Sequence, residues 1–189
     1  SSVRSNEARV VVGGVPKSTG LKGCTNNLAD TGGDNDGYNS NPANACAQDG
    51  LFASDGNSGT NASTLCSNTG KDRHRFWGYA FGMPASVTSV EGITVQARMG
   101  TSSSAGTYGI CVELSWDAGT TWTAARQVLF STRAQTTYTI GGAADTWGRS
   151  WTAGNLDTGS FRVRITDVSS NTTRRFDLDY LGVSVNYTP

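Results

Sequence analysis

The sequence predicts an all-β fold, an antiparallel jelly-roll sandwich of about eight or nine strands. Three observations support this prediction. Apolar and polar residues alternate with a period of two through most of the chain after residue 73. Glycine (24 residues), serine, threonine and asparagine are abundant, whereas lysine and glutamate, which favour long helices, are scarce. Turn sequences such as DAGT, GGAAD, TAGN and SSNT recur at short intervals.

The strand candidates divide the chain into an irregular and a regular part. Residues 7–15 (EARVVVGGV) form the first candidate, and residues 16–72 follow with few apolar side chains. A structureless loop of that length is improbable in a domain, so we expect disulfides or a metal ion to order it. We therefore predict a single domain, 1–189, in which residues 1–72 pack on a regular β-sandwich formed by residues 73–189.

The regular part also predicts which side chains face the core. Its strand candidates are HRFWGYAFGMP, VTSVEGITVQARMG, YGICVELSW, TWTAARQVLFS, TTYTIGG, FRVRITDV and RRFDLDYLGVSVNY. Alternation groups the apolar side chains of these strands on one face each. The inward set is Trp77, Tyr79, Phe81, Ile93, Val95, Ala97, Met99, Ile110, Val112, Leu114, Trp116, Phe161, Val163 and Ile165.

The four cysteines, Cys24, Cys46, Cys66 and Cys111, lack the CxxC spacing typical of zinc and redox sites. We expect two disulfides in an oxidising compartment instead, which predicts an extracellular or cell-surface protein. Four cysteines allow three pairings. We favour Cys24–Cys46, which would staple the loop-rich segment to itself, and Cys66–Cys111, which would tie that segment to a strand.

Charge and hydropathy argue against two classes of partner. Fifteen basic residues balance fifteen acidic ones, so the chain lacks the basic excess typical of nucleic-acid-binding proteins. No apolar run approaches the ~18 residues that cross a bilayer, so membrane insertion is not expected.

Residues 115–122, SWDAGTTW, match the Ser-x-Asp-x-Gly-x-x-Trp pattern of the Asp-box, which occurs in sialidases and many other secreted β-proteins. In such a box the Asp and Ser side chains bond to turn backbone, the Gly adopts a conformation that other residues resist, and the Trp packs beneath. Ser115, Asp117, Gly119 and Trp122 take these places. The box occurs once, in a chain too short for a six-bladed propeller, so we interpret it as a structural turn.

The sequence offers no catalytic constellation. His74, the only histidine, stands in the charged stretch KDRHR and is expected to be a solvated loop residue. A nucleophile motif such as G-x-S-x-G does not occur. Glycosidases use two opposed carboxylates, and nothing in the sequence indicates such a pair. We therefore predict that the protein is not an enzyme.

From about residue 41 to its end, the chain resembles a β-sandwich module of secreted bacterial surface proteins, related to the galactose-binding-like jelly rolls. The resemblance rests on NPANACAQDGLFASDGNSG, KDRHRFWGYAFGMP, CVELSWDAGTTWTAARQ, DTWGRSWTAGNLDTGSFRVRI and FDLDYLGVSVNY. The jelly-roll group includes discoidin-type domains and several carbohydrate-binding modules. The resemblance therefore implies a fold and a compartment more than a function.

The one cofactor that we expect from the sequence is a structural Ca²⁺. The resemblance implies an ion between an early loop and the last strand, with Asp49 of QDG and Asp179 of LDYLGV as ligands. The run DTGGDNDGY adds Asp34 and Asp36, which are close enough in sequence to hold a hard cation. The metal hypothesis thus names Asp34, Asp36, Asp49 and Asp179.

An alternative explains the same acidic residues without a metal. Asp34 and Asp36 would form Asx-turns, in which the carboxylate accepts a bond from nearby backbone. The last-strand carboxylates would pair with arginines across a polar face. These pairs would join Asp177 and Asp179 to Arg162, Arg164 or Arg174.

The primary functional hypothesis is a secreted, non-catalytic structural protein that self-associates on the cell surface as a filament, sheath or layer subunit. The β-branched run Val10, Val11 and Val12 would add to the sheet edge of a neighbouring copy. The partner in this hypothesis is the protein itself, as a homo-oligomer or polymer.

The alternative is a carbohydrate-binding or adhesin module of a larger extracellular protein, with an extracellular glycan as its partner. In TWGRSW, Trp147 and Trp151 flank Arg149 and would offer stacking and hydrogen-bonding groups to a sugar. The competing interpretation, which we favour, is that both tryptophans cap one end of the sandwich.

Overall fold

The computed structural model describes residues 14–189 and confirms the all-β prediction, with eleven strands in two antiparallel sheets. The strands are β1 (Lys17–Ser18), β2 (Lys22–Gly23), β3 (Asn26–Asp30), β4 (Ala53–Asp55), β5 (Arg73–Trp77), β6 (Ser89–Thr101), β7 (Tyr108–Ser115), β8 (Arg126–Leu129), β9 (Thr136–Gly141), β10 (Arg162–Ser169) and β11 (Phe176–Thr188). Two short 3₁₀ helices cover Pro42–Cys46 and Ala153–Leu156. No helix within 14–189 is long and apolar enough to cross a bilayer.

β11 is the central strand of a six-stranded sheet. Along one edge it pairs with β6, and β6 in turn pairs with β9. Along its other edge it pairs successively with β4, β2 and β1. The second sheet has five strands in the order β3-β5-β10-β7-β8. The first and last thirds of the chain therefore meet in one sheet.

The core lies between the two sheets, and the predicted alternation locates most of it. The inward residues of β6, from Ile93 to Met99, are fully buried. So are Ile110, Val112 and Leu114 of β7 and the inward residues of β10. Burial of such apolar surface stabilises the fold by roughly 25 cal/mol per Å².

Trp77 departs from the prediction. In β5 the inward residues are His74 and Phe76, so Trp77 lies half-buried on the outer face of the sheet. Gly78 follows with φ +84, a left-handed conformation that interrupts the alternation, and the next aromatic residue, Tyr79, is again in the core. His74, expected in a solvated loop, is likewise a buried strand residue with 2% of its surface exposed.

The segment from residue 16 to residue 72 contributes short strands to both sheets. β1, β2 and β4 extend the six-stranded sheet, and β3 extends the five-stranded one through β5. Of the strand candidate 7–15, the structure describes only Gly14 and Val15, which belong to no strand. Val10, Val11 and Val12 lie outside the described residues, and Val15 is an exposed residue before β1.

Both disulfides have the pairing that we favoured. Cys24–Cys46 has a Cα–Cα distance of 4.7 Å and Cys66–Cys111 one of 5.6 Å. The first joins the end of β2 to the first 3₁₀ helix, within the loop-rich segment. The second joins that segment to β7, where Cys111 is fully buried.

The loop lengths predict unequal contributions of the two disulfides to stability. The cysteines are 22 residues apart in Cys24–Cys46 and 45 in Cys66–Cys111. Chain entropy then gives about 3 kcal/mol for the first bond and about 4 kcal/mol for the second. Urea unfolding of Cys24→Ala/Cys46→Ala and Cys66→Ala/Cys111→Ala should show this order. Free thiols in the purified native protein would contradict the assignment.

Candidate functional site

The Asp-box forms the turn that follows β7. The Ser115 hydroxyl donates to Asp117 Oδ1 (2.9 Å) and accepts from the Gly119 N–H (2.9 Å). Asp117 Oδ1 also accepts from the Thr121 N–H at 2.8 Å. Gly119 has φ +88, and the half-buried Trp122 ring lies 4.2 Å beneath the Arg164 guanidinium. All these contacts lie within the turn or against the sheet, as a structural role requires.

The TWGRSW turn follows β9 and holds both of its tryptophans in the core. Trp147 is 4% exposed, and its indole N–H donates to the Ile93 carbonyl at 2.9 Å. Trp151 is 6% exposed and donates to the Thr146 carbonyl at 2.7 Å. The two rings therefore cap the sandwich, and each exposes only a few per cent of its surface. The burial of both rings favours the capping interpretation, and sugar stacking on them stays a prediction.

Arg149 stands between two aromatic rings at this end of the sandwich. Its guanidinium carbon lies 3.7 Å from the ring centre of Trp116 and 4.5 Å from that of Trp151. The two rings are nearly perpendicular, with centres 6.2 Å apart. Burial lowers the pKa of Arg149, and the negative charge of Asp117 opposes this effect. Its Nη1 is buried and has no hydrogen-bond partner within residues 14–189.

An open cleft of about 560 Å³ lies beside Arg149. Its lining includes four serine or threonine residues and one arginine, and no aspartate or glutamate. The residues are Thr88, Ser89, Val90, Thr146, Gly148, Arg149, Ser150 and Trp151. Sequence reasoning missed Thr88 and Ser89, because they enter the cleft from the start of β6, some sixty residues away in the chain.

The outer face of the five-stranded sheet carries arginines stacked on tryptophans. Arg162 lies 4.4 Å above Trp77. Arg164 lies above Trp122 and also bonds Glu113 through its Nε at 2.8 Å and Asp30 through its Nη1 at 3.1 Å. These arginines are therefore occupied within their own sheet.

The carboxylates of β11 have different partners from those of the metal-free alternative. Asp177 accepts from Ser54 (2.6 Å) and Arg175 (3.0 Å). Asp179 lies in a bulge of β11, where it accepts from Arg98 Nε at 2.8 Å. Pairing of these carboxylates with Arg162, Arg164 or Arg174 is wrong. Arg162 and Arg164 belong to β10 in the other sheet, and Arg174 bonds Ser169 at 3.0 Å.

The four aspartates of the metal hypothesis do not form one cluster. Asp49 is exposed and accepts from the Leu51 N–H in a local turn at 3.0 Å. The next residue, Gly50, donates its N–H to Asp179 Oδ1 at 2.8 Å, so the early loop does reach the last strand. Both oxygens of Asp179 are thus bonded within the chain, one of them to an arginine. Asp34 and Asp36 lie elsewhere, with Asp72.

A buried acidic layer lies behind Asp72. Asp55 and Asp167 are both at most 1% exposed, and the Tyr38 hydroxyl donates to Asp167 at 3.0 Å. Burial raises the pKa of Asp72 and of Asp167 to about 7 each. Burial and the charges of Asp167 and Asp72 raise the pKa of Asp55 to about 11, so Asp55 holds a proton at neutral pH. The Lys71 ammonium is buried nearby and donates to Ser58 Oγ and the Asn61 carbonyl.

The single histidine is not available for acid–base chemistry. His74 Nδ1 accepts from the Tyr38 N–H at 3.1 Å, and Nε2 lies 3.1 Å from Asn27 Oδ1. Burial, and secondarily the positive charge of Arg75, lowers the pKa of His74 to about 4. The ring is therefore neutral at physiological pH and serves the packing of β5.

No protein-family model matches this chain, and no curated protein sequence matches it. Among solved structures the chain is similar to the CBM32 of AlyQ in complex with 4,5-unsaturated mannuronic acid. The two are 17% identical over 86% of this chain and 96% of that chain, with a TM-score of 0.46. The fold assignment rests on the strands and sheets described above.

The Asp-box geometry predicts a stability defect for Asp117→Ala. This change removes the acceptor for the Thr121 N–H and the Ser115 hydroxyl, and it should lower the free energy of unfolding by about 1–2 kcal/mol. Asp117→Asn keeps an oxygen at the same place and should retain most of the stability. Chemical denaturation of the three proteins checks the prediction. Equal stability of the Ala variant and the wild type would contradict a structural role.

Proposed function

We propose that this chain is a non-catalytic carbohydrate-binding module and that the sugar binds in the cleft beside Arg149. The observation that carries the proposal is the guanidinium of Arg149, which lines the cleft and is held between Trp116 and Trp151. An arginine fixed in this way keeps donor capacity for a ligand at a defined position.

The size and lining of the cleft suit a small polar ligand. Ligand pockets commonly measure 300–1,000 Å³, and this cleft measures about 560 Å³. The hydroxyls of Thr146 and Ser150 can donate to and accept from sugar hydroxyls. Because Arg149 is already ordered by stacking, little side-chain entropy remains to be lost when a ligand binds.

Recognition in this proposal differs from the stacking that the sequence suggested. The rings of Trp116 and Trp151 orient Arg149, while hydrogen bonds select the ligand. The lining offers one positive charge and no carboxylate. We therefore expect acidic sugars, such as oligouronates, to bind more tightly than neutral sugars of the same length.

The primary hypothesis from the sequence, self-association into a filament, sheath or layer, stays a prediction. The residues to which it assigned assembly, Val10, Val11 and Val12, lie outside the described part of the chain. Two disulfides fit an extracellular or cell-surface location in either case. An extracellular glycan is the partner that the described residues support better.

A bulky side chain that fills the cleft should weaken sugar binding without affecting the fold. Ser150 is an exposed residue of the lining, so Ser150→Trp should block the cleft and weaken binding at least about tenfold. Ser131→Trp, at an exposed loop position outside the cleft, is the matched control and should bind as the wild type does. Calorimetric titration with neutral and uronate oligosaccharides of equal length measures both effects.

A charge variant tests the role of Arg149. Arg149→Gln keeps a long polar side chain but removes the positive charge, so the preference for uronates over neutral sugars should disappear. Arg133→Gln, at an exposed arginine outside the cleft, should leave the preference unchanged. Undiminished uronate binding by both Ser150→Trp and Arg149→Gln would overturn the assignment of the site.

A further inference from the structure

Three carboxylates meet where the loop after β3 folds over the beginning of β5. One oxygen from each of Asp34, Asp36 and Asp72 lies within 4.8 Å of the other two. Asp34 and Asp36 come from the loop, and Asp72 immediately precedes β5. The Asp34 N–H donates to Asp72 Oδ1 at 3.1 Å, so the loop is held directly against the buried carboxylate. Gly33 permits this approach, because a Cβ there would overlap with that oxygen.

Two oxygens of this group are buried without a partner. Asp72 is 1% exposed, and its Oδ2 has no hydrogen-bond donor in the described part of the chain. Asp36 Oδ1 is also buried without a hydrogen-bond donor in the described residues. The other oxygen, Asp36 Oδ2, accepts from the Asn39 side chain at 2.5 Å. Buried carboxylate oxygens are costly unless a donor or a cation satisfies them. A bound cation would satisfy both of these oxygens.

The neighbouring basic side chains donate no hydrogen bond to the three carboxylates within residues 14–189. The Lys71 ammonium donates to Ser58 Oγ at 2.8 Å and to the Asn61 carbonyl at 3.0 Å. The Arg73 side chain packs against Gly32, and its Nε is itself buried without a partner. Within residues 14–189, none of the three aspartates takes part in an ion pair.

We propose that Asp34, Asp36 and Asp72 bind one calcium ion. Calcium takes six to eight oxygen ligands at 2.3–2.6 Å, so ligand oxygens on opposite sides stand about 5 Å apart. Oxygens that lie within 4.8 Å of one another are compatible with ligation of one such ion. Carboxylate oxygens are hard ligands and favour calcium over transition metals. Water completes the coordination on the exposed side, where Asp34 faces solvent.

This site differs from the one that the family resemblance implied. The implied ion lay between an early loop and the last strand, with Asp49 and Asp179 as ligands. Here Asp179 is neutralised by Arg98, and the ion instead joins the 31–37 loop to the start of β5. The segment after β4 is linked to the site as well, because the Asn57 side-chain N–H donates to Asp34 Oδ2 at 2.9 Å. Calcium thus orders a segment that has few apolar contacts of its own.

Calorimetric titration of the EDTA-treated full chain should reveal one calcium site, with magnesium binding at least about tenfold more weakly. Asp36→Asn removes one of the three charges and should weaken calcium binding at least about tenfold. Asp49→Asn, the matched control at the position implied by the resemblance, should bind within about twofold of the wild type. Calcium should also raise the Tm of the wild type and not that of Asp36→Asn.

Asp34→Asn is a second test, because Asp34 is exposed and its replacement leaves the buried layer intact; it too should weaken binding. Absence of calcium binding up to about 10 mM, in the range of the weakest extracellular sites, would overturn the proposal. So would calcium binding that Asp49→Asn abolishes and that Asp34→Asn and Asp36→Asn leave unchanged. Equal affinity for magnesium would overturn the choice of calcium.

Discussion

The pairing of β6 with β11 is the interaction on which the other elements depend. Both strands have thirteen residues, and they pair from Phe176↔Thr101 to Thr188↔Ser89 with two shifts of register. β11 is bonded on both edges, so β1, β2 and β4 have their place in the sheet only because β11 offers its second edge. The inward side chains of these two strands make up much of the core between the sheets.

The loop-rich segment before residue 73 is stabilised mainly by polar and covalent contacts. Its short strands bury little apolar surface, and two disulfides restrict the unfolded chain instead. Three of its residues, Tyr38, Asp55 and Lys71, form a buried polar layer with Asp167 of β10. Such networks specify one arrangement of the chain, because each buried polar group needs its own partner. Asp55 Oδ2, Asp72 Oδ2 and Asp36 Oδ1 have no hydrogen-bond partner in the described part of the chain, and calcium is the partner that we propose for the last two.

Tryptophan has a supporting role at the proposed sugar site. Trp147 and Trp151 are core residues whose indole N–H groups bond backbone carbonyls at 2.9 and 2.7 Å. The Asp-box takes part indirectly, because Trp116 within it forms one of the two faces on which Arg149 stacks. The Asp-box turn thus stabilises the fold and also orients Arg149, the residue that we propose binds the sugar. In the proposed site, hydrogen bonds from Arg149, and not stacking on tryptophan rings, would therefore select the sugar.

The sequence by itself determined the fold class, the inward faces of β6, β7 and β10, and the favoured disulfide pairing. These features depend on local periodicity and on composition, which a single chain displays directly. The reading of Trp77 failed at Gly78, since one residue with positive φ reverses the faces of a strand and periodicity does not reveal φ. The tertiary structure alone decided which charges meet. Asp72 lies beside Asp34 and Asp36, Arg98 bonds Asp179, and Thr88 lines the same cleft as Arg149. Each of these contacts joins segments far apart in the chain, and sheet order, which no local pattern encodes, brings them together.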